Sequence, residues 1–359
     1  MNTPRKTLKE RLATWIAKHS ILPATIFTKF QVDVIHRQFS SFWGLIDELP
    51  SFKKPSRFST FTLGAPCNLW TYYFPTITDI LAIRERYILQ PLQITTKDGF
   101  TLCGMHFQDQ RSLYHSNTRT LLVFGGNGEL YKMGASAWLF KLLQRSSNPF
   151  NIIMFDPREC GYSEGRAHAK KLVEDGETVY QYVVHELGVE EDSLDLYGFS
   201  LGAAVATLVK ANHPTTQGVL ISNRSFQSLH HAVKGIFSRL QHPFSYLCSK
   251  LASQLQHHAG WDLQPLQAWK SIQSPKMVIC HSDDPVISYC ASLERGLHEE
   301  DLLHTCHHIH LRQKDPMMMI SNHHVQPLSF YNDQHGHDVE LEILQFLAPQ
   351  KACYSAARA

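Results

Sequence analysis

The pentapeptide Gly198-Phe199-Ser200-Leu201-Gly202 sets a hydroxyl between two glycines, each two positions away. The apolar run 194–197 precedes it and the helix-forming run 201–210 follows, so the spacing predicts a sharp strand-to-helix turn. Such a turn strains its central residue and passes so close to neighbouring backbone that Gly198 and Gly202 are required. Ser200 would then project at a helix N-terminus, where N–H groups and the helix dipole favour developing negative charge. The chemistry this suits is nucleophilic attack on a carbonyl. The motif is short enough to arise by chance, so its surroundings carry the weight.

Three further groups fall in the order that chemistry needs. Gly125-Gly126-Asn127-Gly128 follows an apolar run ending at Phe124. Together with Leu201, the residue after the nucleophile, Asn127 is expected to present a backbone N–H to an oxyanion, with Gly126 serving the turn. A phosphate-binding loop is disfavoured, because the last glycine of G-x-G-x-x-G is missing and no G-K-[ST] follows. Asp284, in the turn after the apolar run 277–280, is the expected orienting acid, with its neighbour Asp283 as the alternative. For the general base the choice is His337, in Gly336-His337-Asp338 just before the last helical run. With 22 histidines in the chain, that choice rests on position; His335 is the runner-up, and His323 and His324 stand behind it.

Residues His304, Cys306, His307, His308 and His310 resemble metal ligands by content. The stretch reads as a strand, which puts His304, Cys306, His308 and His310 on one side. No metal is expected there and the chemistry needs no cofactor.

The elements that must position these groups are legible from about residue 86 onward. Short β-type runs at 92–96 and 101–105 flank Asp98-Gly99, a hairpin signal. Further buried-strand candidates at 120–124, 151–155, 194–197, 219–221 and 277–280 alternate with helical stretches at about 133–146, 168–188, 201–211 and 338–347. That rhythm predicts an α/β fold with a mostly parallel sheet and helices on both faces, spanning 86–350. The strand rhythm stops between 227 and 268, where an apolar helical insertion is expected to act as a lid. Residues 1–85 read as a helical and irregular extension, beginning with the amphipathic stripe Leu8, Leu12, Trp15 and Ile16, and 351–359 as a tail.

Composition narrows the partners. With 34 basic and 32 acidic residues and a formal net charge of +2, no global field argues for nucleic acid. The eight cysteines lack a C-x-x-C pair and several sit in apolar runs, which reads as reduced thiols. Charged residues interrupt the N-terminal stretch, so no signal peptide is expected. No apolar run approaches the roughly 18 residues of a membrane span. A cytoplasmic protein is therefore expected, with peripheral membrane or host-protein contact through residues 1–85 left open.

With these pieces in order, residues 90–350 resemble the α/β-hydrolase superfamily. Asp156-Pro157-Arg158-Glu159-Cys160-Gly161-Tyr162-Ser163-Glu164-Gly165 is similar to its D-x-R-G-x-G-x-S-x-G turn, with Glu159 in place of a usual glycine, and Gly125 stands where a histidine often does. More narrowly, the long extension and the Gly-Gly-Asn-Gly and Asp-Pro-Arg-Glu-Cys-Gly-Tyr-Ser signatures resemble the CHLPS family of chlamydial proteins and related lipase-like effectors of intracellular bacteria. That resemblance implies a hydrolase-like protein, delivered into a host cell without a cleaved signal. The expected activity is a serine hydrolase of carboxylic esters or acyl groups, with a small-molecule or lipid-like substrate. A peptidase with the same residues and a catalytically inactive interaction protein are the alternatives.

Overall fold

In the computed structural model, residues 77–127, 129, 131, 137–238, 260–318, 320 and 322–348 are described. The amphipathic stripe at 8–16, the rest of the extension to residue 76, Gly128, the middle of the expected lid (239–259) and the tail lie outside them.

The apolar runs become an eight-stranded sheet. Its strands are β1 (Tyr87–Thr95), β2 (Thr101–Asp109), β3 (Arg119–Phe124), β4 (Phe150–Phe155), β5 (Leu194–Phe199), β6 (Leu220–Asn223), β7 (Lys276–Cys280) and β8 (His307–His310). They lie in the order β1-β2-β4-β3-β5-β6-β7-β8. Strands β1 and β2 pair antiparallel, as do β2 and β4, while every later pairing is parallel. Asp98-Gly99 turns the first hairpin, and Gly99 takes φ +83° there, a conformation cheap only for glycine.

Alternation along the central strands decides which side chains reach which face. Leu122, Phe124, Ile153 and Phe155 enter one buried cluster, together with α3 (Ala169–His185) and α4 (Leu201–Asn212) through Leu172, Val179, Ala204 and Val209. Leu121, Val123, Ile152 and Met154 enter a second, covered by α2 (Ala137–Gln144) and α8 (Val339–Leu347). Helices thus cover both faces, and each expected helical stretch finds its counterpart in α2, α3, α4 or α8. Of the expected lid, the described parts are α5 (Leu229–Ser238) and α6 (Pro265–Trp269). A short helix α1 (Ile77–Arg86) leads straight into β1.

Two elements go beyond the expected pattern. Only 307–310 of the histidine stretch forms a strand, while Leu303–Thr305 is a 3₁₀ turn. Beyond β8, a two-stranded sheet of β9 (Arg312–Gln313) and β10 (Tyr331–Asn332) closes a long excursion before α8. Among the described residues no helix is long and apolar enough to cross a membrane, and none of the described cysteines forms a disulfide.

Candidate active site

The turn between β5 and α4 has the expected strain. Ser200 sits at φ +53°, ψ −116°, and its N–H donates to the carbonyl of Asn223 at the end of β6, 2.9 Å away. A Cβ on Gly198 would collide with the backbone of Ala203, and one on Gly202 with the carbonyls of Phe124 and Gly125. These two glycines are therefore demanded by close backbone approach, and they let α4 begin directly after the serine. A Cβ on Gly126 would meet the Phe199 ring at 2.7 Å.

Ser200 Oγ lies 2.9 Å from His324 Nε2, and His324 Nδ1 lies 2.6 Å from Asp284 Oδ2. All three residues are buried. The other carboxylate oxygen of Asp284 accepts N–H groups of Val286 and Ile287, each at 2.8 Å. Burial pushes the Asp284 carboxyl up, but the His324 ring and these two donors outweigh it, holding the group below the ordinary carboxylate range. The Phe199 ring packs 5.0 Å from the His324 ring.

The structure thus brings Ser200 and Asp284 together and corrects the histidine. His337 is on the surface, with its side chain 70% exposed and its ring nitrogen 3.2 Å from Asp333. The segment around it serves the entry to α8. Asp333 Oδ1 accepts the N–H groups of both His335 and His337, Gly336 turns at φ +92°, and Asp338 caps the helix by accepting the Leu341 N–H. His335 is exposed alongside His337, and Asp283 is exposed beside the buried Asp284. His323, the immediate neighbour of His324, points elsewhere: its ring stacks on His281 at 4.0 Å and its Nδ1 lies 3.0 Å from the Tyr331 hydroxyl.

Sequence reasoning placed His324, together with His323, behind His337 and His335. Locally, Asn322, two residues upstream, accepts the His324 N–H at 3.0 Å and forms a self-contained turn. Asp333 does the same for His335 at 2.9 Å, so the turn by itself does not single out His324.

Asn127, Leu201 and Gly202 line a common pocket that opens to solvent, with walls from Phe124, Phe155, Leu172 and Val205. Glu129 is its charged member, and its carboxylate accepts the Gly126 N–H at 2.8 Å. Pro157 and Cys160 of the Asp156–Gly165 turn complete the wall. That turn is held by Arg158, which reaches the Asp175 carboxylate at 2.6 Å and Asp98 at 3.0 Å. Glu159, standing where glycine is usual, adopts φ +64°. Its side chain offsets the strain by accepting the Ala167 N–H at 2.8 Å.

A mostly parallel sheet in this strand order with helices on both faces is an α/β-hydrolase-like fold. An esterase of Pyrococcus furiosus has a similar structure, with a TM-score of 0.52 and 14% identity over 81% of this chain and 98% of the other. An alpha-beta hydrolase of Vibrio vulnificus is similar at a TM-score of 0.51 and 15% identity, over 72% and 90% of the two chains. At these identities the likeness establishes the fold. In sequence, an uncharacterised protein of Acanthamoeba polyphaga mimivirus is 28% identical over 184 residues, 48% of this chain. The chain spans 58% of that relative's length. No family model matches the chain, and the narrower chlamydial resemblance finds no support among these proteins.

Proposed function

We propose that this protein is a serine hydrolase of carboxylic esters or related acyl compounds, with Ser200 as nucleophile, His324 as general base and Asp284 as the acid that orients the ring. The observation that carries the reading is the hydrogen-bonded chain from Ser200 Oγ through both nitrogens of His324 to Asp284, at 2.9 and 2.6 Å. A base must lie within hydrogen-bond reach of the proton it takes, and the second contact assigns the Nδ1 proton to the carboxylate side, leaving Nε2 to accept.

In the proposed reaction Ser200 Oγ bonds to the substrate carbonyl carbon as its proton passes to His324 Nε2. Backbone N–H groups of Leu201 and Asn127 hold the oxyanion. Collapse breaks the ester C–O bond, and the leaving alkoxide takes the proton from His324. Water, deprotonated by the same ring, then frees the acid and restores the serine. The aromatic and aliphatic walls beside Leu201 favour an apolar acyl group. The inactive interaction protein is the weaker reading, since the buried base lies within hydrogen-bond reach of the serine and the buried acid within reach of the base.

A fluorophosphonate probe tests the assignment. Wild-type protein is expected to be labelled and to hydrolyse short nitrophenyl esters, and Ser200→Ala to lose both. Undiminished labelling of the folded variant would overturn the reading.

A further inference from the structure

A second cluster of reactive side chains lies one residue before the loop that carries Asp284. Cys280 ends β7, His310 ends β8, and the two are paired in register on adjacent parallel strands, so their side chains share one face of the sheet. Glu294, in the first turn of α7 (Leu293–Glu299), closes over them. Cys280 and Glu294 are buried and His310 is partly so.

The spacing of the donor atoms is informative. His310 Nδ1 lies 3.4 Å from Cys280 Sγ and 3.1 and 3.2 Å from the two oxygens of Glu294, and one donor from each residue fits within 4.8 Å of the others. A tetrahedral zinc with ordinary Zn–S, Zn–N and Zn–O bonds sets its ligands about 3.3–3.6 Å apart, so the sulfur–nitrogen spacing already fits and the carboxylate has only to move outward by a few tenths of an ångström. One ring nitrogen facing a sulfur and a carboxylate is a crowded arrangement for a single N–H. It suits a lone pair aimed at a cation, provided the other nitrogen keeps the proton. That nitrogen, Nε2, lies 2.6 Å from Ser282 Oγ, the outer hydrogen bond that orients metal-binding histidines.

A fourth donor stands close by. His308 lies two residues before His310 and so faces the same way, with its Nε2 4.0 Å from Glu294. His307 points to the opposite side and meets Glu342 at 2.9 Å.

We propose that Cys280, Glu294 and His310 form a zinc site, with His308 or water in the fourth position, that ties the ends of β7 and β8 to α7 and stiffens the Asp284 loop. The mixed sulfur, nitrogen and oxygen donor set matches a borderline-soft ion such as zinc rather than calcium or magnesium. The site does not depend on the proposed chemistry at Ser200.

The test uses the full chain, reduced and stripped with chelator, then loaded with zinc chloride. One zinc per chain is expected to survive gel filtration, and the melting temperature to rise on loading. Cys280→Ser should lose that equivalent, and Ser282→Ala, an exposed change, should weaken zinc affinity about 10–100-fold. Should Cys280→Ser fail to fold, wild-type protein loaded with cobalt(II) still decides, since a tetrahedral spectrum with a thiolate charge-transfer band is expected. A wild-type chain that retains no zinc and shows no such band overturns the proposal, as does folded Cys280→Ser that binds as tightly as wild type.

Discussion

The turn that carries Ser200 and the excursion that carries His324 meet at a 2.9 Å hydrogen bond and a ring contact with Phe199, yet they are specified in different ways. At the turn, backbone presses on backbone: Gly198 abuts Ala203, and Gly202 abuts the ends of β3 and its loop. Few sequences satisfy that geometry, and those that do show it within five residues. The excursion from 311 to 338 is held by side chains reaching across long sequence distances. His324 contacts Asp284 forty residues earlier and Ser200 124 residues earlier, and His323 stacks on His281. Local sterics leave a motif; long-range side-chain pairing leaves none.

The sharpest way to break this comparison is to exchange the two histidines. Under the proposed function, His324→Ala should lower kcat by up to about 10⁶-fold, the scale of removing a general base. His337→Ala should stay within about twofold, as for a surface change. Ester hydrolysis with folding checked by circular dichroism measures both, and the reverse pattern would restore the residue next to α8. The acid offers the next largest contrast, with Asp284→Asn expected to cost about 10⁴-fold in kcat and Asp283→Asn about twofold at most. Asp284 also leaves a trace in stability. Its folded carboxyl titrates below the ordinary range, so the stabilisation it confers is present above about pH 4 and lost as the pH falls through the lower folded value. Denaturation midpoints between pH 5 and about 2 should therefore fall more steeply for wild type than for Asp284→Asn.

These contrasts mark how far the sequence could be read. The centre of the sheet was legible because β3, β4 and β7 are near-continuous apolar runs whose alternate residues serve two clusters, as Leu121 and Leu122 do. Ser200 was legible through its glycines, and Asp284 through the turn that follows β7. The histidine was not, because the chain order Ser, Asp, His is satisfied equally by His323, His324, His335 and His337. The intervening β9 and β10 pair lengthens the path to α8, so nearness to the last helix points to His337, whose side chain the structure leaves at the surface. Gly336-His337-Asp338 is a helix entry, and its polar residues are consumed by capping. The Glu159 substitution shows the opposite case: the turn pattern held, and the side chain supplied what glycine's freedom normally gives.

Glycine substitutions sharpen the same distinction on a smaller scale. Gly202→Ala places a Cβ against two fixed carbonyls, so denaturant unfolding should show a loss of about 3 kcal/mol, together with a misplaced serine. Gly336→Ala meets no atom within 4 Å and suffers only from its φ of +92°, for which about 1 kcal/mol is expected. Equal losses at the two sites would mean that crowding does not set the serine turn apart.

The smallest expected effect probes the excursion where it comes nearest to a local motif. Asn322 Oδ1 accepts the His324 N–H at 3.0 Å, a turn closed within three residues, and it is the local counterpart in this loop of the glycines around Ser200. A side-chain hydrogen bond of this kind contributes about 1 kcal/mol. If it holds the ring in place, Asn322→Ala should lower kcat about fivefold with KM unchanged, because the bond positions the base and touches no substrate. Asn322→Asp keeps the acceptor oxygen and should restore most of the rate. If Asn322→Ala leaves kcat intact, the contacts to Asp284 and Ser200 orient His324 unaided, and the excursion owes its geometry to long-range pairing alone.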